Sequence, residues 1–228
     1  MSYGKAFSLW REAAEPHWSA YVRHAFVKGL GDGTLPRDAF LHYLIQDYVF
    51  LIQFSRAWAL AVVKSGTLDE MKAAAATVDR LVNHELQLHV RLCAEAGIAE
   101  TDLFNTKEEI NNLAYTRYVM DAGLSGDFAD LMAALTPCVL GYGEIGLRLK
   151  AEAAANTSYA DWIETYSGAV YQELCLKVGG LLDQALTRRI GSEFTASPRW
   201  STLTDRFVTA TRLEVGFWDM GLAGPGPT

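Results

Sequence analysis

Hydrophobic and polar positions along this chain repeat with the 3.6-residue period of helices, and nowhere alternate long enough to make a convincing strand. Apolar-faced stretches at about Ala6–Ala14 and His17–His24, separated by Pro16, predict two short helices. The run from Gly29 to Pro36 reads as a turn, with Thr34, Pro36 and Asp38 signalling the start of a helix. From about Arg37 to Lys64 apolar residues run round most of the circumference, which predicts a buried central helix. Gly66 and Thr67 separate it from a helix over about Leu68–Ala96, ended by Gly97 and followed by a polar link to Thr106. Further helices are predicted over about Lys107–Ala122, Phe128–Ala153, Tyr159–Leu186 and from Ser197-Pro198 to about Leu222. A turn at Leu124–Asp127 and a break at Asn156–Ser158 lie between them. Long helices joined by short links imply one all-α bundle over residues 1–222, with a flexible tail over residues 223–228.

Composition narrows the possible partners. The chain has 228 residues, half of them hydrophobic, enough for one large core. Its net charge is -7, with no run of lysine or arginine, so no nucleic-acid partner is expected. Charges at Lys5, Arg11, Glu12 and Glu15 interrupt the N-terminus, and the apolar run Ala57–Val63 is too short to span a bilayer. No membrane partner is expected, and the expected location is cytoplasmic. Cys93, Cys138 and Cys175 are odd in number and lack metal-binding spacing, so they read as reduced thiols.

Candidate chemistry gathers on three of the predicted helices. Pro137 interrupts the hydrogen bonding of its helix and is expected to kink it. Cys138 follows directly and Tyr142 stands one turn on, while Gly141 and Gly143 suggest open space beside a pocket wall. A lone cysteine in an apolar helix is more often a small buried hydrophobe. Asp47 sits mid-helix on one face with Phe50 and Phe54; a buried carboxylate there needs a partner. Glu85 and His89, one turn apart, have a spacing that could hold a metal, although a paired helix surface is commoner. Tyr166-Ser167-Gly168 allows either a ring laid against a ligand or close helix packing. Glu214, Phe217 and Trp218 share a face of the last helix.

Taken in order, Gln46-Asp47, Leu135-Thr136-Pro137-Cys138 with Tyr142 and Glu144, Thr165-Tyr166-Ser167-Gly168, and Glu214 with Phe217-Trp218 resemble the signatures of the TenA/thiaminase II family. The turn at Gly29–Pro36 and the segment Leu124–Ala129 are similar too, so the resemblance covers almost the whole chain. It implies a haem-oxygenase-like helical fold without haem or other cofactor, assembled as a homotetramer. It also implies hydrolysis of 4-amino-2-methylpyrimidines, thiamin or its aminomethyl fragment, to the 5-hydroxymethyl product used in thiamin salvage.

Cys138 places the chain with the cysteine-bearing branch, and the resemblance assigns Cys138 as nucleophile and Glu214 as proton donor and acceptor. Asp47 would take the 4-amino group and Tyr142 the ring, with Tyr166, Phe50 and Phe217 as flat neighbours. Several family members carry a tyrosine where this chain has Phe50. That phenol and one matching Tyr115 are associated with polarising the cysteine, leaving Tyr115, Tyr48 or Tyr118 to serve here. Two other readings compete: a metal oxidase on the same scaffold, using Glu85, His89 and Glu144, and a non-catalytic pyrimidine-binding or regulatory protein.

Overall fold

In the computed structural model, which describes residues 2–224, the chain forms helices and, among the described residues, no strand. In order they are α1 (Lys5–Ala13), α2 (His17–Val22), α3 (Ala25–Asp32), α4 (Arg37–Lys64), α5 (Leu68–Arg80), α6 (Leu86–Glu95), α7 (Glu100–Phe104), α8 (Ile110–Ser125), α9 (Phe128–Glu152), α10 (Ala160–Ser167), α11 (Ala169–Ile190) and α12 (Arg199–Ala223). A π-helical turn, Leu81–Glu85, joins α5 to α6, and a 3-10 turn, Phe194–Ala196, precedes α12. Of the tail expected over residues 223–228, Ala223 closes α12, and residues 225–228 lie outside the described residues.

α9 is the hub, packed against α12, α10, α11, α8 and α4. Its start is set by a capping box. Asp127 accepts from the backbone N–H of Ala129 and Asp130, and Asp130 accepts in return from that of Asp127. Arg199 and Arg206, from α12, close on these same carboxylates at 2.8 Å and so tie the two helices together. α9 continues helical on both sides of Pro137. α4 has the bounds that its pattern predicts, Arg37–Lys64, and presses one face on α5 and another on α8 and α12. Aromatic side chains fill the end of the bundle between α2, α3, α4 and α12; Phe26 and Trp218 stack with centroids 4.9 Å apart.

Four local expectations need correction. Gly29–Asp32 are helical, in α3, and the turn is confined to residues 33–36, where Gly33 takes φ 76°. The close packing there accounts for glycine rather than for a turn: a Cβ would lie 3.0 Å from Leu35 at Gly29 and 2.8 Å from Leu149 at Gly31. The predicted Leu68–Ala96 helix contains the π-helical turn, whose extra residue periodicity does not reveal. The predicted Tyr159–Leu186 helix breaks at Gly168, which is extended. Gln172 caps the break by donating to the carbonyls of Tyr166 at 2.8 Å and Gly143 at 3.1 Å. Finally, Gly141 and Gly143 do not open a pocket. The Tyr21 ring fills the space at Gly141, and Cys175 and Tyr3 fill that at Gly143.

Candidate active site

Six elements enclose a cavity in the middle of the bundle, α5 among them with Thr77 and Arg80. α4 brings Asp47 and Phe50, α9 brings Cys138 and Tyr142, α10 brings Tyr166, the π-helical turn brings Glu85, and α11 brings Tyr171. Its volume is about 440 Å³, with open solvent at its mouth included, but the centre of a water molecule can occupy only about 20 Å³ of it. The chamber is a slot, and a planar ring enters it only as side chains along the wall shift. The walls suit such a ring: Tyr142 and Tyr171 each meet Tyr166 edge-on with centroids 4.9 Å apart. The break at Gly168 belongs to this geometry. Gly146 has no side chain where the backbone of Tyr166 lies 2.5 Å from a would-be Cβ, so α10 comes hard against α9.

The buried partner that Asp47 needs is His89. Its Nε2 stands 2.7 Å from Asp47 Oδ2, and its Nδ1 stands 3.0 Å from the backbone carbonyl of Glu85. Both partners accept hydrogen bonds, so both ring nitrogens donate, and His89 is an imidazolium paired with a carboxylate. Burial pushes His89 toward its neutral form; these two acceptors outweigh it and hold its pKa above the ordinary value. Tyr43 donates to the same oxygen, Oδ2, at 3.3 Å. Asp47 Oδ1 has no partner among the described residues, on a residue that lines the cavity. Spacing alone leaves His89 as either paired helix surface or metal ligand. The available signal was the unpaired Asp47 itself, since few histidines could reach it.

Cys138 is half-buried on the cavity wall. Glu214, Tyr115 and Phe217 stand behind that wall. The Glu214 carboxyl accepts a 2.8 Å bond from the Tyr115 hydroxyl and lies near enough to the Cys138 thiol for each to act on the other's ionisation. Burial pushes Glu214 up to about 8, with the Tyr115 bond pulling the other way. Burial also pushes the Cys138 thiol well above its ordinary value, and nearby Glu214, Asp47 and Glu85 add to that. The thiol is therefore protonated at neutral pH and needs a base. Phe50 packs against Tyr115 at 5.2 Å and Phe217 at 5.3 Å between centroids. Tyr115 serves the carboxyl rather than the thiol, and neither other phenol is on this wall: the Tyr118 hydroxyl meets the Arg206 carbonyl at 3.4 Å, and Tyr48 does not line the cavity.

The three residues weighed for a metal do not converge. Glu144 takes two 2.8 Å bonds from Arg11 and one from Trp18, away from the cavity. Among the described residues no group of three His, Cys, Asp or Glu side chains could hold a metal ion, and no helix is long and apolar enough to cross a membrane.

The sequence profile of the TENA/THI-4/PQQC family matches residues 11–224. An uncharacterized protein of Haemophilus influenzae is 39% identical over 213 residues, spanning 92% of this chain and 96% of its own. An aminopyrimidine aminohydrolase of Halalkalibacterium halodurans is 33% identical over 211 residues, spanning 92% of each chain. A TenA family transcription regulator from Silicibacter sp. TM1040 superimposes with a TM-score of 0.95 at 65% identity, over 96% of this chain and 97% of that one.

Proposed function

The chain belongs to the TENA/THI-4/PQQC family, and we propose that it is an aminopyrimidine aminohydrolase of thiamin salvage. It converts 4-amino-5-aminomethyl-2-methylpyrimidine, and thiamin, to 4-amino-5-hydroxymethyl-2-methylpyrimidine. The observation that carries this reading is a thiol on the wall of an aromatic slot, backed by a carboxyl poised near neutrality and sharing the slot with a carboxylate that has one oxygen free.

Asp47 Oδ1 accepts from the 4-amino group, and His89 and Tyr43 keep Oδ2 from rotating into its place. Tyr142 contacts the ring, Tyr166 and Phe50 give it flat walls, and Phe217 backs Phe50. The Cys138 thiol passes its proton to the ionised fraction of Glu214 while sulfur bonds to an electron-poor ring carbon. The electron pair pushed into the ring expels the leaving group, which is bound as the ammonium or the thiazolium and needs no further proton. The exocyclic C–N bond thus breaks with its electrons, and neutral ammonia, or the thiazole, departs. Water then adds to the exocyclic methylene, and the proton it loses leaves with the ammonia or to solvent, since Glu214 still holds the thiol proton. The C–S bond breaks last, the ring regains aromaticity, and Glu214 returns the proton to sulfur.

The protein acts in the cytoplasm as a homotetramer on a small-molecule substrate, without nucleic acid. Exposed apolar side chains such as Val63, Phe104 and Ile110, each more than 70% accessible, support subunit contacts, and the net charge of -7 argues against a nucleic-acid partner.

The test is product formation from the aminomethylpyrimidine and from thiamin in parallel, with Cys138→Ala as control. Ammonia is expected faster than thiazole, and both are lost in the variant. Turnover of neither substrate by the unaltered protein overturns the reading, and full activity in Cys138→Ala overturns the nucleophile.

A further inference from the structure

Three carboxyl groups stand at or behind the slot, and two are engaged. Asp47 holds His89 and Tyr43, and Glu214 holds Tyr115 behind Cys138. Glu85 is different. It lines the slot itself, Oε1 accepts from the Tyr166 hydroxyl at 3.2 Å, and Oε2 has no partner among the described residues. No cation closes on it. Arg80 lines the same slot but lies over the Tyr171 ring, 5.8 Å from its centroid, and makes no ion pair among the described residues. The imidazolium of His89 is taken by Asp47 and by the backbone carbonyl of Glu85. Burial is the largest influence on the Glu85 carboxyl and raises its pKa, with His89 and Arg80 opposing. A half-buried carboxylate with one oxygen unpartnered and no cation closing on it is costly.

We propose that Glu85 is the counter-ion of a cationic leaving group, so that the slot selects pyrimidines carrying positive charge beyond the exocyclic methylene. This rests on the aminohydrolase reading for the identity of the ring and extends it to specificity. An alkylamine on that methylene is protonated at neutral pH and would donate to Oε2. A thiazolium nitrogen would face the same carboxylate without a hydrogen bond. The charge is present in the bound substrate and disappears as ammonia departs neutral. Glu85 therefore strengthens the ground state more than the transition state, and its removal is read in KM before kcat.

The test compares Glu85→Gln with the unaltered protein. Glutamine keeps the size and an acceptor for Tyr166 but removes the charge. Losing a partner of a desolvated charge pair is expected to raise KM for the aminomethylpyrimidine by about 10-fold or more, while kcat changes by less than ~3-fold. Inhibition by the neutral hydroxymethyl product should stay within about 2-fold, since it lacks the charge. Equal losses for substrate and product would mean that Glu85 only props Tyr166, and an unchanged KM would remove it from specificity altogether; either overturns the proposal. Calorimetric binding of the two pyrimidines to Cys138→Ala, with and without Glu85→Gln, asks the same question without turnover. Failure of hydrolysis in the unaltered protein therefore tells against the reaction, and loss of charge discrimination tells against Glu85.

Discussion

Tyr115 holds down a carboxyl that burial would push higher still, through a 2.8 Å bond to Glu214. With Glu214 at about 8, only a minor fraction is ionised at pH 7, and that fraction takes the thiol proton. The pH dependence of kcat/KM should accordingly rise through pH 8. Tyr115→Phe removes the donor, so the carboxyl titrates higher, the rising limb moves to higher pH, and kcat/KM at pH 7 falls by about 10-fold. Tyr118→Phe, which alters a hydroxyl facing a backbone carbonyl, should leave the profile where it is. A fall in kcat/KM with an unmoved limb would show that Tyr115 packs rather than tunes. Phe50 fits this division of labour: its ring lies on Tyr115, and the phenol that acts on ionisation is Tyr115.

At the scale of the element, α9 is a helix whose glycines are places for other side chains. A Cβ on Gly141 would lie 2.2 Å from a ring carbon of Tyr21, whose ring is wedged beside Trp18 and Trp218. Gly141→Ala is therefore expected to destabilise by about 2 kcal/mol, despite the ~1 kcal/mol that alanine gains over glycine in a helix. The melting temperature should fall by roughly 4–8 °C. Gly180 in α11 makes the opposite case, with nothing within 4 Å of its would-be Cβ. Gly180→Ala should raise stability by up to ~1 kcal/mol. Thermal unfolding of the pair decides it; the same sign in both would mean that helix propensity, not the Tyr21 contact, governs α9.

Across the whole molecule, buried carboxyls set how stability follows pH. Glu70 is fully buried, and burial alone would raise its pKa. Arg189 at 2.7 and 3.0 Å and the backbone N–H of Gly66 outweigh that and lower it. Asp127 is likewise lowered, burial being outweighed by Arg199. Both contribute stability above their unfolded values that is lost as pH falls through the folded ones. Glu214 works the other way. It keeps its proton to about 8 when folded, against an ordinary 4.5, so the folded chain holds more protons across that window and stability declines as pH rises through it. His89, raised by its acceptors, declines in the same direction. Denaturant midpoints should be highest near pH 5 and lower at pH 8. Glu214→Gln should reduce that difference; parallel curves for the two proteins would exclude Glu214 as its source.

The sequence by itself determined the class of fold, the bounds of α4, the start of α9 and the residue types of the site. These follow from hydrophobic period and capping chemistry, which act over a few residues. Cys138, Asp47 and Glu214 stood out as chemical groups in apolar helices, and family resemblance proposed their roles. Tertiary structure alone decided which side chains meet. The Asp47–His89 pair joins positions 42 residues apart on different helices, a contact that exists only after α4 and α6 pack. The break at Gly168 is satisfied by Gln172 and accommodated by Gly146 on another helix, so no local pattern encodes it. The π-helical turn carries Glu85 to the wall of the slot, while Glu214 stands behind it. Periodicity reports which face of a helix is buried, whereas pairing within the buried interior depends on the register between helices.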